Sequence, residues 1–338
     1  MINRIYRLVD TKRIELVQRE VDFDCGVILK PDYVAVCKAD QRYYQGKRNR
    51  EIMRSKLPMA LIHEATATVM HDNTGEFLPG TKAVLIPLVS PIHTSDVKNN
   101  YNTESKFMSS GHDGFLCDYT IVRQEQVIPI KSNYSVIYVF SEIISVVFNA
   151  VETFEKSCVT DISTFGVWGD GSMGFVTALV LRCIYPESKI FVFGKTARRL
   201  QRFSFADELF YVDDVPSDVI VNHAFECVGG SSSESAVRQI IQLISPQGCV
   251  SLLGVTEDEI SINTRTILDK GLKILGNNRS GITDFVKAAA LIQNNDICKK
   301  YLETLISEVV EINNERDIAK LFEQDILNDF KTVGRWRL

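Results

Sequence analysis

The stretch Ser163-Thr-Phe-Gly-Val-Trp-Gly169-Asp170-Gly171-Ser172-Met173-Gly174-Phe175 decides the fold. It predicts a short buried strand over residues 165–168, a Gly-x-Gly-x-x-Gly turn, and an apolar helix that begins near Phe175. In such a unit the first glycine permits a tight turn, the second lets backbone N–H groups approach a pyrophosphate, and the third lets the helix pack closely. We therefore expect this turn to bind a dinucleotide through Gly169, Gly171, Ser172, Met173 and Gly174.

The residues after the next predicted strand, over 189–193, indicate which dinucleotide is bound. In NAD-binding units an acidic residue about twenty positions after the glycines holds the ribose 2′-hydroxyl. That position here is Gly194, which has no side chain. Cationic side chains pair well with a 2′-phosphate. Lys195, Arg198 and Arg199 follow Gly194, so the sequence favours NADPH over NADH. The alternative is that these basic residues are a solvated start of a helix. The expected cofactor contacts are Gly194, Lys195, Thr196 and Arg198, with Arg199 beside them.

The composition is that of an ordinary globular protein with room for two domains. The chain has 338 residues, of which 45% are hydrophobic and 24% are charged, and its formal net charge is −5. The chain has no excess of basic residues, so its composition does not indicate a nucleic-acid partner. We find no apolar signal region at the N-terminus and no run of about eighteen apolar residues, so we expect a cytoplasmic protein without a membrane span. The 8 cysteines are scattered and predict free thiols in a reducing compartment.

Residues 1–135 are rich in short β-strand patterns separated by turn signals, which predicts a compact, partly open barrel. Three side chains in or after this region have the chemistry of zinc ligands: Cys37, His63 and Glu142. They lie far apart in the sequence, and single Cys and His residues in apolar surroundings are more often plain core residues. The residue types alone therefore leave the metal site and the core as open alternatives.

The order of four motifs resembles the zinc-dependent medium-chain dehydrogenase/reductase superfamily. The motifs are Cys37-Lys-Ala-Asp40, Leu61-Ile-His63-Glu64, Gly80-Thr-Lys-Ala-Val84 and the glycine turn at 169–174. The resemblance implies an α/β protein with a GroES-like β-barrel catalytic domain over residues 1–140. A Rossmann domain with a doubly wound parallel sheet would follow over 141–280, and residues 281–338 would return to complete the catalytic domain.

Longer stretches are similar to one branch of that superfamily, the TarJ-type ribulose-5-phosphate reductases. They are Asp40-Gln-Arg-Tyr-Tyr44, Ser109-Ser-Gly-His-Asp-Gly-Phe115, residues 185–196 and Ala224-Phe-Glu-Cys-Val-Gly-Gly230. The resemblance implies reduction of D-ribulose 5-phosphate to D-ribitol 5-phosphate by NADPH. It also implies a homodimer and a link to a cytidylyltransferase, which converts ribitol 5-phosphate to CDP-ribitol for teichoic acid or capsule.

The resemblance also assigns roles to single residues. Cys37, His63 and Glu142 would hold one catalytic zinc ion, and Glu64 would lie beside it as a further possible ligand. Asp40 would accept a hydrogen bond from His63 and fix its tautomer. A solvated turn acid is the alternative for Asp40, and a buried acid paired within the structure is the alternative for Glu64.

Further positions complete the expectations from the resemblance. The family's proton-relay hydroxyl is replaced by Ala39, which leaves the proton route open, and residues 88–112 contain no cysteine, so no structural zinc is expected. Lys331 would reach the cofactor pyrophosphate, with a surface edge-strand lysine as the alternative. Arg42, Lys47, Arg48 and Arg279 are candidates for the substrate phosphate, with Arg42 and Arg279 preferred, although exposed charges are the common fate of such residues.

Two other functions compete with the ribulose-5-phosphate reductase prediction. The first is another polyol or polyol-phosphate dehydrogenase that uses NAD, and Gly194 and the basic residues after it argue against NAD. The second is a catalytically silent NADPH-binding scaffold. The complete set of Cys37, His63 and Glu142 argues against the scaffold, because such a protein has no need of an open metal site.

Overall fold

The structure is a computed structural model that describes residues 1–24, 26–91 and 96–338. It divides into two compact units, one formed by Met1–Ser145 with Ser280–Leu338 and the other by Val146–Arg279. Among the described residues the cysteines are free thiols, as the sequence predicts, and Cys25 lies outside the described residues. The first unit thus contains both ends of the chain.

The N-terminal part of the first unit is built from short strands and two short helices. Strands β3, β5 and β6 pair antiparallel in one sheet, with β10 on β6 and β9 on β3, while β1 pairs with β2 and β4 in a second sheet. The elements in chain order are β1 Ile2–Asp10, β2 Arg13–Glu20, β3 Val27–Ala35, α1 Lys38–Tyr44, α2 Arg50–Lys56, β4 Met59–Ala60, β5 Glu64–Asp72, β6 Lys82–Leu85, β7 Leu88–Val89, β8 Lys106–Phe107, β9 Thr120–Val122 and β10 Val127–Pro129.

The second unit contains a six-stranded parallel sheet, which confirms the predicted Rossmann architecture. Its strand order, β13-β12-β11-β14-β15-β16, reverses direction beside the first strand, which is the switch point where such sheets bind dinucleotides. The elements of this part are α3 Ser141–Ser157, β11 Thr164–Trp168, α4 Ser172–Ile184, β12 Lys189–Gly194, α5 Ala197–Leu200, β13 Glu208–Tyr211, β14 His223–Glu226, α6 Ser233–Leu243, β15 Cys249–Leu252, α7 Thr264–Lys270 and β16 Lys273–Gly276.

The C-terminal residues return to the first sheet. Strand β18 pairs antiparallel with β3 and parallel with β17, so it lies inside the sheet and not at its edge. The pairing sets Val333 opposite Ala35, at the end of β3. The remaining elements are α8 Ile282–Asn294, α9 Asp296–Thr304, β17 Ile306–Ile312, α10 Glu315–Leu327 and β18 Lys331–Trp336.

The burial of the strands explains the sequence patterns. Strand β11 is buried at every residue after the first, as is expected of a parallel strand covered on both faces. The helix after the glycine turn begins at Ser172, three positions before the predicted Phe175. The difference arises because Gly171 caps the helix, so the last glycine of the turn already lies in its first turn.

One helical segment corrects the expectation that no apolar stretch is long enough to cross a membrane. Residues Val136–Ser157 form 22 helical residues with a mean hydropathy of 1.5 in the most apolar window. However, 72% of that window is buried within the protein, as in the core helix of a globular fold. Length and composition alone are therefore weak evidence for a membrane span here.

Candidate active site

Three side chains with metal-ligand chemistry converge where β3 ends and β5 begins. Because these strands are antiparallel and Ala35 pairs with Glu64, the residues after β3 lie next to the start of β5. Cys37 caps helix α1, and His63 directly precedes β5. One ligand atom from each of Cys37, His63 and Glu64 lies within 4.8 Å of the other two. We call these three residues the ligand group.

Asp40 lies beside the histidine of this group, at the position from which the resemblance expects it to orient the ring. Its Oδ2 lies 3.2 Å from His63 Nδ1, and its Oδ1 accepts hydrogen bonds from Ile62 N at 3.1 Å and from Ser109 Oγ. Burial raises the pKa of Asp40, but His63 and these donors outweigh burial and lower it overall. A carboxylate at Nδ1 leaves Nε2 of His63 with a lone pair for a metal ion.

The electrostatic potential at His63 favours a positive charge. Burial disfavours the charged form of His63, yet the acidic groups of Asp40 and Cys37 raise its pKa well above the usual value. The same negative potential would stabilise a divalent cation. Phe107 packs against the His63 ring, with 5.4 Å between the ring centroids, and limits where the imidazole can turn.

Glu64 provides the test of whether a metal ion fits. The side chain is fully buried, and its Oε1 contacts the ammonium group of Lys331. Among the described residues no hydrogen-bond partner reaches Glu64 Oε2. A buried carboxylate oxygen without a partner is costly, and a cation would satisfy it. Together with a thiol sulfur and an imidazole nitrogen, this oxygen makes a mixed donor set that suits Zn²⁺.

Lys331 is a residue whose surroundings the sequence does not predict. It lies at the start of β18 with an exposed fraction of only 4%, so the alternative of a surface edge-strand lysine is wrong. Its Nζ also donates a hydrogen bond to the Val36 carbonyl at 3.1 Å. Burial lowers the pKa of Lys331, but Glu64 and Cys37 reverse this and raise it, so the ammonium group is charged. The lysine holds Glu64 in its place within the ligand group.

Charged residues of the ligand group affect the pKa of Glu142, but Glu142 is not one of the three residues whose ligand atoms lie within 4.8 Å of one another. It is the second residue of α3, and its exposed fraction is 7%. Its pKa is raised to about 7, chiefly by burial; Glu64 and Asp40 contribute to the rise, and His63 and Lys331 oppose it. The structure thus places Glu64, rather than Glu142, in the closest group, and the role of Glu142 as a ligand stays a prediction.

The glycine turn of the second unit has the geometry that close approach of a ligand requires. A β-carbon at Gly174 would lie 1.8 Å from the carbonyl oxygen of Gly169, so only glycine lets α4 pack onto the turn. A β-carbon at Gly171 would meet nothing within 4 Å, which leaves open space before the helix N-terminus. Ser172 and Met173 form the first turn of α4. Backbone N–H groups at such a terminus bind phosphate.

The predicted 2′-phosphate residues follow β12 in the same unit. Gly194 ends β12, Lys195 and Thr196 form the connection, and Arg198 lies in α5. The backbone N–H groups of Lys195 and Thr196 donate to Asp170 Oδ2 in the glycine turn, at 2.9 and 2.7 Å. The basic connection is therefore tied to the turn by a carboxylate that the sequence analysis left without a role.

The structure also locates the two arginines preferred for the substrate phosphate. Arg42 is in the last turn of α1, whose first residue follows Cys37. Arg279 follows β16 with a positive φ of 58°, and burial lowers its pKa. Neither belongs to the ligand group.

A set of cations lies around Tyr43 and Ser110, and it includes Arg48, which is one of the candidates from the sequence. Lys56 Nζ is 2.9 Å from Ser110 Oγ and 6.0 Å from the centroid of the Tyr43 ring, and Arg48 Cζ is 4.9 Å from the same centroid. Burial lowers the pKa of nearby His112, and the ammonium groups of Lys106 and Lys56 lower it further against an opposing effect of Asp113. Like charges gathered in this way are typical of an anion site.

Comparisons with known proteins agree with this geometry. The family model described as the alcohol dehydrogenase GroES-like domain matches residues 24–132. The chain is 42% identical over 340 residues to ribulose-5-phosphate reductase 1 of Staphylococcus aureus (strain NCTC 8325 / PS 47), covering 99% of both chains. It is 40% identical over 341 residues to ribulose-5-phosphate reductase of Bacillus spizizenii (strain ATCC 23059 / NRRL B-14472 / W23), covering 100% of both.

A solved structure is similar over the same length. The crystal structure of S. aureus TarJ in complex with NADPH superposes with a TM-score of 0.88 at 38% identity, covering 100% of both chains. More distant dehydrogenases, such as L-idonate 5-dehydrogenase from Escherichia coli, share the fold at 18% identity with a TM-score of 0.86. Similarity of this extent covers both the ligand group and the glycine turn.

Proposed function

The chain belongs to the ribulose-5-phosphate reductase family, and we propose that its own reaction is the reduction of D-ribulose 5-phosphate to D-ribitol 5-phosphate. The cofactors are NADPH and a zinc ion. The observation that carries the proposal is the ligand group of Cys37, His63 and Glu64, with the unpaired Glu64 Oε2, in a chain 42% identical to such a reductase over 99% of both lengths.

The reaction converts a ketone to a secondary alcohol. One hydride and one proton are added across the C2 carbonyl, and NADPH becomes NADP⁺. When bound, NADPH supplies the hydride, and zinc supplies Lewis-acid polarisation of the carbonyl. Cys37, His63 and Glu64 would hold the metal, with Glu142, the second residue of α3, proposed as a further ligand. The protein's own contribution is to position these groups and to control the proton.

Two residues position the ligands. Asp40 Oδ2 lies 3.2 Å from His63 Nδ1, and a carboxylate on this side of the ring would leave Nε2 as the ligand atom. Ser109 Oγ and Ile62 N donate hydrogen bonds to Asp40 Oδ1 and hold it in place. Lys331 Nζ forms an ion pair with Glu64 Oε1, which leaves Glu64 Oε2 as the oxygen that could bind the metal. His63 and Glu64 thus each have one side-chain atom in contact with another residue of the protein and a second atom that could bind the metal.

The proton route differs from that of relatives with a hydroxyl relay, because Ala39 has no hydroxyl group. Glu64 is the acidic residue whose pKa is raised by burial and which still has an oxygen without a described partner. Burial favours the protonated form of Glu64, while Lys331 and His63 oppose this effect, and the net result is a raised pKa. We propose that the proton comes from a bound water, from a substrate hydroxyl, or from Glu64 while its Oε2 is not bound to the metal.

The substrate phosphate needs cations, and the set around Tyr43 is the structural candidate. Ser110 N donates to the Phe107 carbonyl at 3.1 Å, and Phe107 packs on His63, so Lys56 reaches the site through one tight turn. We propose that Lys56, Arg48 and Lys106 bind the phosphate. Arg42 and Arg279 are the further candidates proposed from the sequence.

The phosphate proposal has a matched pair of variants on one helix. Lys56→Met should raise KM for D-ribulose 5-phosphate while leaving KM for NADPH unchanged. Arg54→Met removes the same charge from an exposed position of α2 and should change neither constant. An equal effect of both variants would show that only the overall charge of the helix matters.

Partners and location are proposed on narrower support. We propose a homodimer that pairs through the β16 edges of two parallel sheets, since β16 ends the sheet and Ile274 in it is 38% exposed. We propose a functional link to a cytidylyltransferase that consumes ribitol 5-phosphate for teichoic acid or capsule. The cytoplasm is the proposed location, which the free cysteines support.

Isotope transfer tests the reaction itself. NADPH carrying deuterium at nicotinamide C4 on the transferred face should yield ribitol 5-phosphate that is one mass unit heavier, with the label at C2. Label in a product from an unphosphorylated ketose at a comparable rate would instead favour a general polyol dehydrogenase. Absence of labelled product in folded, zinc-loaded protein would contradict the reductase assignment.

A further inference from the structure

The space at the end of β12, where NAD-binding units carry their ribose-binding acid, is filled by Asp170. A β-carbon built at Gly194 would lie 2.7 Å from Asp170 Cβ and 3.0 Å from Asp170 Oδ2. Real β-carbons essentially never approach other atoms this closely. A side chain at position 194 is therefore incompatible with Asp170 where it lies.

Asp170 is held in that place by the backbone that follows Gly194. Its Oδ2 accepts from Lys195 N at 2.9 Å and from Thr196 N at 2.7 Å. Its Oδ1 lies 3.9 Å from an Nη atom of Arg199, and its side chain is only 14% exposed. Two hydrogen bonds from backbone N–H groups to one carboxylate oxygen fix both the acid and the connection between β12 and α5.

The arrangement bears on the choice between the two cofactors. An acid at the end of the second strand accepts from the ribose 2′-hydroxyl of NAD, whereas NADP needs that position small and a cation nearby. In this chain the carboxylate comes from the glycine turn, and the two N–H groups and Arg199 already engage it. The Asp170 carboxylate therefore interacts with protein groups and not with the cofactor. It also occupies the space that a side chain at position 194 would need.

We propose that Asp170 is a positioning residue for cofactor specificity: it orders the 195–199 connection for a 2′-phosphate and blocks an acid at position 194. The inference rests on the proposed use of NADPH. The opposite role would be direct recognition of NADH, with the Asp170 carboxylate turned toward the ribose 2′-hydroxyl. The two roles predict opposite signs for the same variant.

Three variants test the proposal. Asp170→Ala should weaken NADPH binding about tenfold, because the connection loses the acceptor that orders it. Gly194→Asp should lose NADPH binding without gaining NADH, because its side chain collides with Asp170. The double variant Asp170→Ala/Gly194→Asp should bind NADH at least about tenfold more tightly than the single variant Gly194→Asp. The effects of the two substitutions on NADH affinity would then be non-additive, as expected of residues in contact. Leu200 Cδ2, 2.8 Å from the built β-carbon, is the end of a flexible side chain and can move aside.

Asp207 provides the matched control, because it makes the same kinds of contact at the other end of β12. Its Oδ2 accepts from Ile190 N at 2.7 Å and pairs with Arg182. Asp207→Ala should affect stability but leave the ratio of NADPH to NADH affinity unchanged. A shift of that ratio equal to the shift in Asp170→Ala would show that any loosening of β12 has the same effect, and it would overturn the proposal.

The readout is direct binding, without turnover. Dissociation constants for NADPH, NADH and adenosine 2′,5′-bisphosphate are measured by calorimetry on the full-length protein. Because no sugar phosphate is present, failure of the reductase assignment leaves this test intact. Tighter NADPH binding and weaker NADH binding in Asp170→Ala, or additive effects in the double variant, would contradict the positioning role.

Discussion

Lys331 and Glu64 form a buried ion pair between the last strand of the chain and the ligand group, although 267 positions separate them in the sequence. The side chains of Lys331 and Glu64 are 5% and 0% exposed. The lysine commits one oxygen of Glu64 and leaves the other without a partner among the described residues. The C-terminal return of the chain thus completes the site.

Removal of this lysine should be costly. Lys331→Met leaves Glu64 as a buried carboxylate without its cation, and breaking such a pair costs about 3–5 kcal/mol of unfolding free energy. Urea denaturation measures the loss. Lys82→Met is the control, because Lys82 pairs with Asp32 at 3.0 Å but is 36% exposed, so about 1 kcal/mol or less is expected. Equal losses would show that burial of the Lys331 pair has no special role.

Zinc content separates the two acidic ligand candidates. Glu64→Gln should lower the bound zinc per chain, because it replaces the charged donor whose Oε2 lacks a described partner. Glu142→Gln should change zinc content less, because Glu142 lies outside the ligand group. Metal analysis after equal dialysis measures both, with Cys37→Ser as the positive control. Full zinc in Glu64→Gln and loss in Glu142→Gln would reverse the assignment.

The glycine turn predicts two different defects. Gly174→Ala places a β-carbon 1.8 Å from the Gly169 carbonyl oxygen, so it should destabilise the fold of the turn and abolish NADPH binding. Gly171→Ala places its methyl group in open space, so the melting temperature should stay near that of the wild type. NADPH binding should still weaken, because that space faces the helix N-terminus. Thermal melts and calorimetry separate these outcomes.

His223 should make stability depend on pH. Burial lowers its pKa below the usual 6.5, with hydrogen bonding to Asp161 opposing this, and its Nδ1 accepts from Cys249 N at 3.1 Å. The unfolded chain therefore binds a proton more readily than the folded one. The stability that His223 contributes is complete above pH 6.5 and is lost as pH falls below this value toward the folded pKa.

Thermal melts between pH 5 and 8 test this sign. The melting temperature of His223→Gln should fall less than that of the wild type as the pH drops below about 6.5. Identical slopes would mean that His223 does not account for the dependence. A steeper slope in the variant would mean that the pKa shift has the opposite sign.

The Rossmann unit could be predicted from the sequence because its signals are local. The strand, the glycine turn and the helix follow one another within residues 163–184, and the spacing of Gly169, Gly171 and Gly174 is fixed by backbone contact. The absence of an acid at Gly194 is also visible without a structure. The start of α4 was misplaced because a turn that binds phosphate is itself the first turn of the helix.

The active site could be predicted only in part, because its geometry depends on strand register. The residue types of Cys37, His63 and Glu64 suggest a metal site, but only the pairing of Ala35 with Glu64 shows that Cys37 lies next to the other two. Lys331 reaches Glu64 because β18 pairs with β3, a contact across nearly the whole chain that no local pattern encodes. The role of Asp170 was hidden for the same reason.

The most direct test of the central claim is the rate of NADPH oxidation with D-ribulose 5-phosphate, followed by absorbance in one preparation before chelation, after chelation and after zinc is restored. Our account predicts rapid oxidation of NADPH, much slower oxidation of NADH, loss of activity on chelation and recovery with zinc. Turnover that persists after the protein is shown to be free of metal, or no turnover in folded and zinc-loaded protein, would contradict it.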